Sequence, residues 1–251
     1  MSGHSKWSTI KHKKGAADAK RGQLFTKLSR EIMIAAKQGD PNPDLNFRLR
    51  LAVDNAKSLN MPKDNIERAI SKGSGLGSDS VALEEITYEA YGPGGIGIII
   101  QTLTDNKNRT AAEVRSQITR SGGNLAGTGS VSWNFEQKGI INISVIDGNE
   151  EEIALEIVDN GAEDFEIIDR NIEVTVSYEK FSEIKSNIET INGIEITEAD
   201  LALVPNSTTM LSDKDGTQTL KLIDSLEELD DVSKVFSNAD FSEKVINDFS
   251  K

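Results

Sequence analysis

Residues 139–178 of the chain read GIINISVIDGNEEEIALEIVDNGAEDFEIIDRNIEVTVSY. Apolar residues alternate along Ile140–Val145 and Ile172–Tyr178, and turn-forming residues bound the short run Phe165–Ile168, so each segment predicts a strand. Glu150–Asn160, which follows the first of these strands, predicts a helix. A helix over 179–191 and a strand over 194–203 complete the order βαββαβ, which is the split-βαβ or ferredoxin-like order.

The flanking residues predict a second mixed unit. Upstream, the pattern predicts two strands, a helix and a strand: 86–91, 96–103, 110–121 and 131–135. Downstream it predicts a strand, a helix and a strand: 208–211, 218–229 and 232–236. The downstream elements have too few strands to form a sheet alone. We therefore expect them to pair with 81–135, which makes the ferredoxin-like unit an insertion.

The first third of the chain has a helical period. Helices are predicted over 23–37, over 46–59 and from Pro62 to a stop at Gly73, since Gly39–Pro43 breaks the chain between the first two. Their apolar faces are Leu24, Phe25, Leu28, Ile32, Ala35 and Ala36; Phe47, Leu51, Ala52, Ala56 and Leu59; and Ile66, Ala69 and Ile70. Glycine-rich residues 73–78 form a linker.

The predicted fold class is α+β in three domains, an N-terminal three-helix bundle followed by two sandwich-type α+β domains. The boundaries are 1–78 for the basic helical domain, 79–137 together with 206–242 for the second domain, and 138–205 for the inserted ferredoxin-like domain.

Charge is divided unevenly along the chain. The 251 residues carry a formal net charge of −13, which taken whole argues against nucleic acid. Residues 1–80 nevertheless hold 15 Lys and Arg against 8 Asp and Glu, a net charge of +7, whereas residues 81–251 have a net charge of −20. Such asymmetry indicates a basic arm that binds nucleic acid or a membrane, or else an ordinary solvated helical surface.

The cations of the first domain suit phosphate contact. Trp7 among lysines suits base stacking beside phosphate neutralisation, although it could equally anchor the arm on the bundle. Lys20, Lys27 and Arg30 gather on the polar side of the first helix. The predicted nucleic-acid-binding residues of this domain are His4, Lys6, Trp7, Lys11, His12, Lys13, Lys14, Lys20, Arg21, Lys27 and Arg30.

A second basic patch follows the strand that ends near Leu103. Lys107, Arg109 and Arg115 lie at and beyond a predicted helix start, where backbone N–H groups and arginine favour phosphate. The alternative is that Asn108 or Thr110 simply caps the helix. We include the three cations among the predicted nucleic-acid-binding residues.

Several classes of chemistry are excluded or unsupported. The absence of cysteine excludes disulfides, thiol nucleophiles and thiolate metal sites. His4 and His12 lack partner ligands, so neither a metal nor another cofactor is expected. Gly92–Gly97 matches G-x-G-x-x-G but opens a strand, and Gly122–Ser130 follows a helix, so both are structural loops rather than nucleotide sites. We expect no enzymatic activity and no small-molecule substrate.

No apolar run approaches the length of a membrane-spanning helix, and the N-terminus lacks the apolar stretch of a secretory signal. We therefore expect a cytosolic protein that does not bind membranes.

Many separate motifs, in order along nearly the whole chain, resemble the YebC/PmpR family. The N-terminal motifs are Gly3–Trp7, His12–Lys14, Asp18–Gly22, Phe25–Leu28 and Met61–Ile70; the later ones are Tyr91–Gly95, Leu103–Thr110, Gly122–Leu125 and Gly129–Val131. The resemblance implies three domains, with one α+β domain inserted in the other. Thr102 and Ser121 stand where the family often has cysteine, so a thiol-dependent role is absent. The connection at 40–44 is shorter and richer in proline than is usual in the family, which leaves the orientation of the second helix open.

The resemblance implies either of two functions. Bacterial members are described as probable DNA-binding transcriptional regulators, whereas other members are linked to translation and to ribosomes stalled at proline-rich stretches. The patterns here favour the ribosome and its rRNA slightly, because no helix has evident base-reading residues near its N-terminus. A protein-binding module that uses the acidic domains is a third, weaker option.

Overall fold

A computed structural model describes residues 18–75 and 83–249, with side chains from Arg21 onward. Within these residues the chain forms eight α-helices: α1 (Asp18–Gln38), α2 (Phe47–Ser58), α3 (Lys63–Gly73), α4 (Lys107–Arg120), α5 (Glu150–Asp159), α6 (Phe181–Ile188), α7 (Asp213–Glu227) and α8 (Glu243–Phe249). The strands are β1 (Glu84–Tyr91), β2 (Gly97–Thr104), β3 (Asn124–Ala126), β4 (Phe135–Val145), β5 (Asp164–Ile168), β6 (Asn171–Ser177), β7 (Ile194–Pro205), β8 (Thr209–Met210), β9 (Val232–Ser237) and β10 (Ala239–Asp240).

Two antiparallel four-stranded sheets form the α+β part of the described chain. The first sheet has the order β3-β1-β2-β9, so the chain returns to it at Val232–Ser237 after a long excursion. The second sheet has the order β5-β6-β4-β7. Its four strands and the helices α5 and α6 follow the predicted order βαββαβ along the chain. Because β9 pairs with β2, the expected pairing of downstream with upstream strands is observed.

The strand predicted over 208–211 pairs differently from our expectation. Thr209–Met210 forms β8, which pairs in parallel with β10 in a separate two-stranded sheet and not with the first sheet. The prediction over 131–135 was also wrong, because Ser132–Asn134 is a 3₁₀ turn and the strand begins at Phe135. The Glu89 carboxylate accepts hydrogen bonds from the N–H groups of Val131 and Ser132, which are therefore not ladder donors.

Three elements, β3, β10 and α8, were not predicted. The three-residue strand β3 lies within the glycine-rich loop and pairs with the end of β1, and it is too short to show a period. Helix α8 follows β10 and buries Val245 and Ile246 against the core beneath the first sheet. The tight turn predicted at 92–95 is observed, and Gly94 and Gly95 have the positive φ that it requires, 71° and 78°.

The first sheet is covered on both faces. On one face, Ile98 and Ile100 of β2 pack with α4 and α7. On the other, Ile99 and Phe236 pack against Phe135 and residues of β7. Strand β2 is therefore apolar along most of its length, whereas a sheet with one solvated face would show alternation.

Helix α2 joins the helical unit (α1–α3) to the second sheet. Its residues Leu49, Ala52, Val53 and Ala56 lie in the bundle core, whereas Leu51 and Phe47 pack in the core of the second sheet. The Phe47 and Phe181 rings meet edge to face at 5.7 Å. The single apolar face predicted for α2 is thus two faces, and Leu59 is 39% exposed rather than buried.

Candidate nucleic-acid interface

The polar side of α1 faces the body of the protein. Lys27 donates a hydrogen bond from Nζ to the Glu227 carbonyl, and Gln23 donates to the Glu228 carbonyl. Both carbonyls lie at the C-terminal end of α7, where carbonyl groups lack intrahelical partners and the helix dipole is negative. The lysine predicted to contact phosphate therefore contacts this helix end.

Arg30 and Arg109 converge on Asp231. This aspartate is 2% exposed and immediately precedes β9. Its Oδ1 lies 3.0 Å from Arg30 Nη1, and its Oδ2 lies 2.6 Å from Arg109 Nη2. The hydroxyls of Thr104 and Thr110 lie 2.9 and 2.6 Å from Oδ2. One carboxylate thus joins α1, β2 and α4, and we call this set the Asp231 cluster.

Burial by itself raises the pKa of Asp231. Hydrogen bonds from Thr110, Arg109 and Thr104 outweigh burial and hold the pKa below its ordinary value. The carboxylate is therefore ionised at neutral pH and binds both guanidinium groups within the chain.

Two of the three cations in the second predicted basic patch form ion pairs within the protein. Lys107 pairs with Glu84 at 2.5 Å, and Arg109 also pairs with Asp105 at 2.8 Å. Asn106 caps α4 by accepting from the Arg109 N–H, so neither Asn108 nor Thr110 is the cap. Arg115 is exposed and forms no ion pair with a described residue.

Most of the predicted N-terminal site lies outside the described residues. This holds for His4, Lys6, Trp7, Lys11, His12, Lys13 and Lys14, and for the side chain of Lys20. Arg21 is exposed at the start of α1. The structure therefore brings Arg30 and Arg109 together, places Lys27 on α7 and leaves Arg21 and Arg115 on the surface.

A groove between α1 and α3 holds two cations that sequence reasoning missed. It has a volume of about 300 Å³ and is lined by Phe25, Thr26, Ser29, Met33, Asn65, Arg68, Ala69 and Lys72. We call it the α1/α3 groove. No acidic residue lines it, and neither Arg68 nor Lys72 forms an ion pair within the described part of the chain. Their spacing of four residues was the available signal, since it places both on one helix face.

A larger cleft has the opposite electrostatic character. It measures about 480 Å³ and lies where the helical unit meets both sheets. Its two cations are paired, Arg48 with Glu85 and Lys234 with Asp200. Carboxylates outnumber cations along its lining, so phosphate is disfavoured there.

Glu31 projects into this cleft from α1. Burial, with a contribution from the Asp200 carboxylate, raises its pKa to about 7 although Lys234, Arg48 and Lys27 act in the opposite direction. Because the raised pKa favours the protonated form in the folded state, Glu31 reduces stability as pH rises from about 4.5 to 7.

We expect Glu31→Gln to raise the free energy of unfolding at pH 8 by about 1–3 kcal/mol, since each tenfold change in proton affinity corresponds to about 1.4 kcal/mol. At pH 4 the two proteins should be equally stable, because Glu31 is then protonated in both folded and unfolded states. Urea unfolding at the two pH values measures this difference. A gain of equal size at both pH values would contradict the assignment.

Comparisons with known proteins agree over both parts of the chain. The family model described as "TACO1/YebC protein N-terminal domain" matches residues 5–76. The model described as "TACO1/YebC second and third domain" matches residues 83–239. A probable transcriptional regulatory protein of Dehalococcoides mccartyi is 49% identical over 249 residues, covering 99% of this chain and 98% of the relative. One from Dictyoglomus turgidum is 48% identical and covers 100% of both chains.

A solved structure has a similar fold. The crystal structure of a conserved hypothetical protein from Aquifex aeolicus is 42% identical, with a TM-score of 0.83 over 90% of this chain and 93% of that chain. None of the described helices combines the length and hydrophobicity needed to cross a bilayer. From these matches over nearly its whole length, we conclude that the chain belongs to the YebC family.

Proposed function

We propose that this protein is a non-enzymatic, nucleic-acid-binding regulator of gene expression that acts in the cytosol, and specifically a DNA-binding transcriptional regulator. The names of its relatives support the regulatory role. The observation that carries the proposal is how the charge of the helical unit is distributed. One side of α1 is engaged with the acidic body, whereas Arg21, Arg68 and Lys72 lie away from those contacts.

We propose that nucleic acid contacts the cations of residues 1–20 together with Arg21 and the α1/α3 groove, and that Arg115 is a second contact. Lys27, Arg30, Lys107 and Arg109 contribute to binding only if their carboxylate or carbonyl partners are displaced. Binding through so many cations releases counterions and should weaken steeply with salt.

We further infer a three-domain organisation with the boundaries 1–78, 79–137 with 206–242, and 138–205. Three large buried clusters support it, one within the helical unit and one beneath each four-stranded sheet. The pairing of β9 with β2 supports an insertion, because it returns the chain to the first sheet.

A ribosome-associated translation factor that contacts rRNA and relieves stalls at proline-rich stretches is the second candidate. Helix α3 favours it. Its first turn carries Asp64, and Glu67 is exposed one turn later, so acids lie where a major-groove recognition helix needs base-reading donors. Helix α2 cannot act as the recognition helix instead, since it is buried on two faces.

Crosslinking in cells followed by sequencing of the attached nucleic acid tests the proposal. We expect promoter DNA from a transcriptional regulator, and dominant rRNA with ribosome co-sedimentation from a translation factor. Lys13→Ala/Lys14→Ala/Arg21→Ala should reduce recovery of either nucleic acid at least tenfold, because three phosphate contacts are removed. Unchanged recovery from this triple variant would overturn nucleic-acid binding through the basic domain.

A further inference from the structure

We propose that the α1/α3 groove binds a single-stranded nucleic acid, with Arg68 and Lys72 on consecutive phosphates and a base against Phe25 and Met33. The inference rests on the proposed function and deepens it, because it names the strand state of the ligand and the residues that hold it. It also adds Arg68 and Lys72 as contact residues to the cations of residues 1–21.

The α3 side of the groove supplies phosphate donors. Asn65, Arg68 and Lys72 are separated by three and four residues, so they share one face of the helix. Lys63 of the same helix pairs with Glu67 at 3.5 Å, whereas Arg68 and Lys72 have no carboxylate partner among the described residues. Two unpaired cations one turn apart, with no acid in the lining, match two phosphates of one strand.

The α1 side of the groove has a different chemistry. The hydroxyl of Thr26 donates to the Gly22 carbonyl at 3.0 Å, and the hydroxyl of Ser29 donates to the Phe25 carbonyl at 2.8 Å. With their hydrogens engaged, both oxygens can only accept, so they disfavour phosphate and favour sugar hydroxyls or base N–H groups. The groove therefore presents cations on its α3 side and hydrogen-bond acceptors on its α1 side.

The floor of the groove is apolar. Phe25 and Met33 are partly buried against the bundle core, and each also lines the groove. A base that is free of its partner strand can lie on such a floor while its phosphates reach α3. A duplex keeps its bases stacked inside and presents its backbone, so it cannot use the floor. The combination therefore favours a single strand over a duplex.

Fluorescence anisotropy with the full chain tests this inference. The probes are a labelled 12-nucleotide RNA, DNA of the same sequence, and the corresponding DNA duplex. We expect Arg68→Ala/Lys72→Ala to weaken binding of both single strands at least tenfold and to lower the salt slope by about 1.4, or about 0.7 per phosphate contact.

The matched control is Lys57→Ala/Lys63→Ala. It removes the same charge from the same helical unit, but Lys57 and Lys63 pair with Asp54 and Glu67 and do not line the groove. We expect its affinities to stay within about twofold of the original protein. Phe25→Leu keeps apolar bulk and removes the ring, so it should weaken both single strands about fivefold and leave the duplex unchanged.

Each outcome decides between the proposals. If Arg68→Ala/Lys72→Ala binds like its control while Lys13→Ala/Lys14→Ala/Arg21→Ala binds weakly, the groove inference is overturned and the proposed function stands. If the original protein binds none of the probes, or all variants bind equally, both are overturned. A loss confined to the duplex overturns the single-strand assignment. The RNA and DNA arms show which single strand is preferred, and thermal unfolding of each variant confirms folding.

Discussion

Asp231→Asn is expected to lower the free energy of unfolding by about 3 kcal/mol, because it replaces a buried carboxylate that two arginines and two threonines contact. The substitution keeps the shape of the side chain but removes its charge and turns one oxygen into a donor. Arg109 then faces an NH₂ group or a neutral oxygen. For a chain of this size, the melting temperature should fall by about 6–12 °C.

We expect Asp231→Asn to increase local unfolding near the substitution before it affects the whole fold. Because Arg30 fastens α1 to the turn before β9, hydrogen exchange should increase in α1 and in residues 228–231 first. Asp230→Asn is the matched control. Asp230 is exposed and accepts from Gln23 at 3.0 Å, so its substitution should cost no more than about 0.5 kcal/mol. Equal stability of the two variants would show that the Asp231 cluster does not hold the helical unit.

The same cluster predicts an acid dependence. The folded-state pKa of Asp231 lies below the unfolded value, so its contribution is fully present above the unfolded pKa and is lost as pH falls through the folded one. The difference in stability between the original protein and Asp231→Asn should therefore shrink below about pH 4. Guanidinium unfolding from pH 7 to pH 2 measures that difference.

The helices and strands were largely predictable because hydrophobic periods are local. The βαββαβ order over 139–204 and the three helices of the basic unit follow from residues only a few positions apart. Three short elements and one 3₁₀ turn did not follow. Glu89 explains the turn, since its carboxylate organises backbone N–H groups some 40 residues further along the chain. A pattern of neighbouring residues cannot reveal a contact between residues so far apart in the sequence.

The candidate site was less predictable because a charge pattern does not identify its partner. Lys27 and Arg30 have the spacing of a phosphate-binding stripe, yet their partners lie about 200 residues away at the end of α7 and before β9. Conversely, Arg68 and Lys72 lie on a short helix that also carries Asp64 and Glu67. The net charge of that helix therefore gives no sign of a basic surface. Only the packing of α3 on α1 separates the two cations from those acids.

That packing depends on a glycine, and Gly73→Ala is expected to lower the free energy of unfolding by about 2–3 kcal/mol. A Cβ at position 73 would lie 2.2 Å from the Met33 carbonyl oxygen and 2.8 Å from the Met33 Cα. Both atoms belong to the backbone of α1, so no side chain can rotate away and the helices must separate. The glycine that sequence reasoning treats as a helix stop is in fact the last residue of α3, and it packs directly against the backbone of α1.

Gly22→Ala provides the same chemical change without the contact. A Cβ there meets nothing within 4 Å, and residue 22 lies inside α1, so alanine should raise the free energy of unfolding by about 0.5–1 kcal/mol. Urea unfolding of both variants measures effects of opposite sign. If Gly73→Ala were also stabilising, α3 could not be held against α1 at this distance. Because Met33 also lines the α1/α3 groove, Gly73→Ala should widen that groove and weaken single-strand binding, whereas Gly22→Ala should leave the groove and its affinity unchanged.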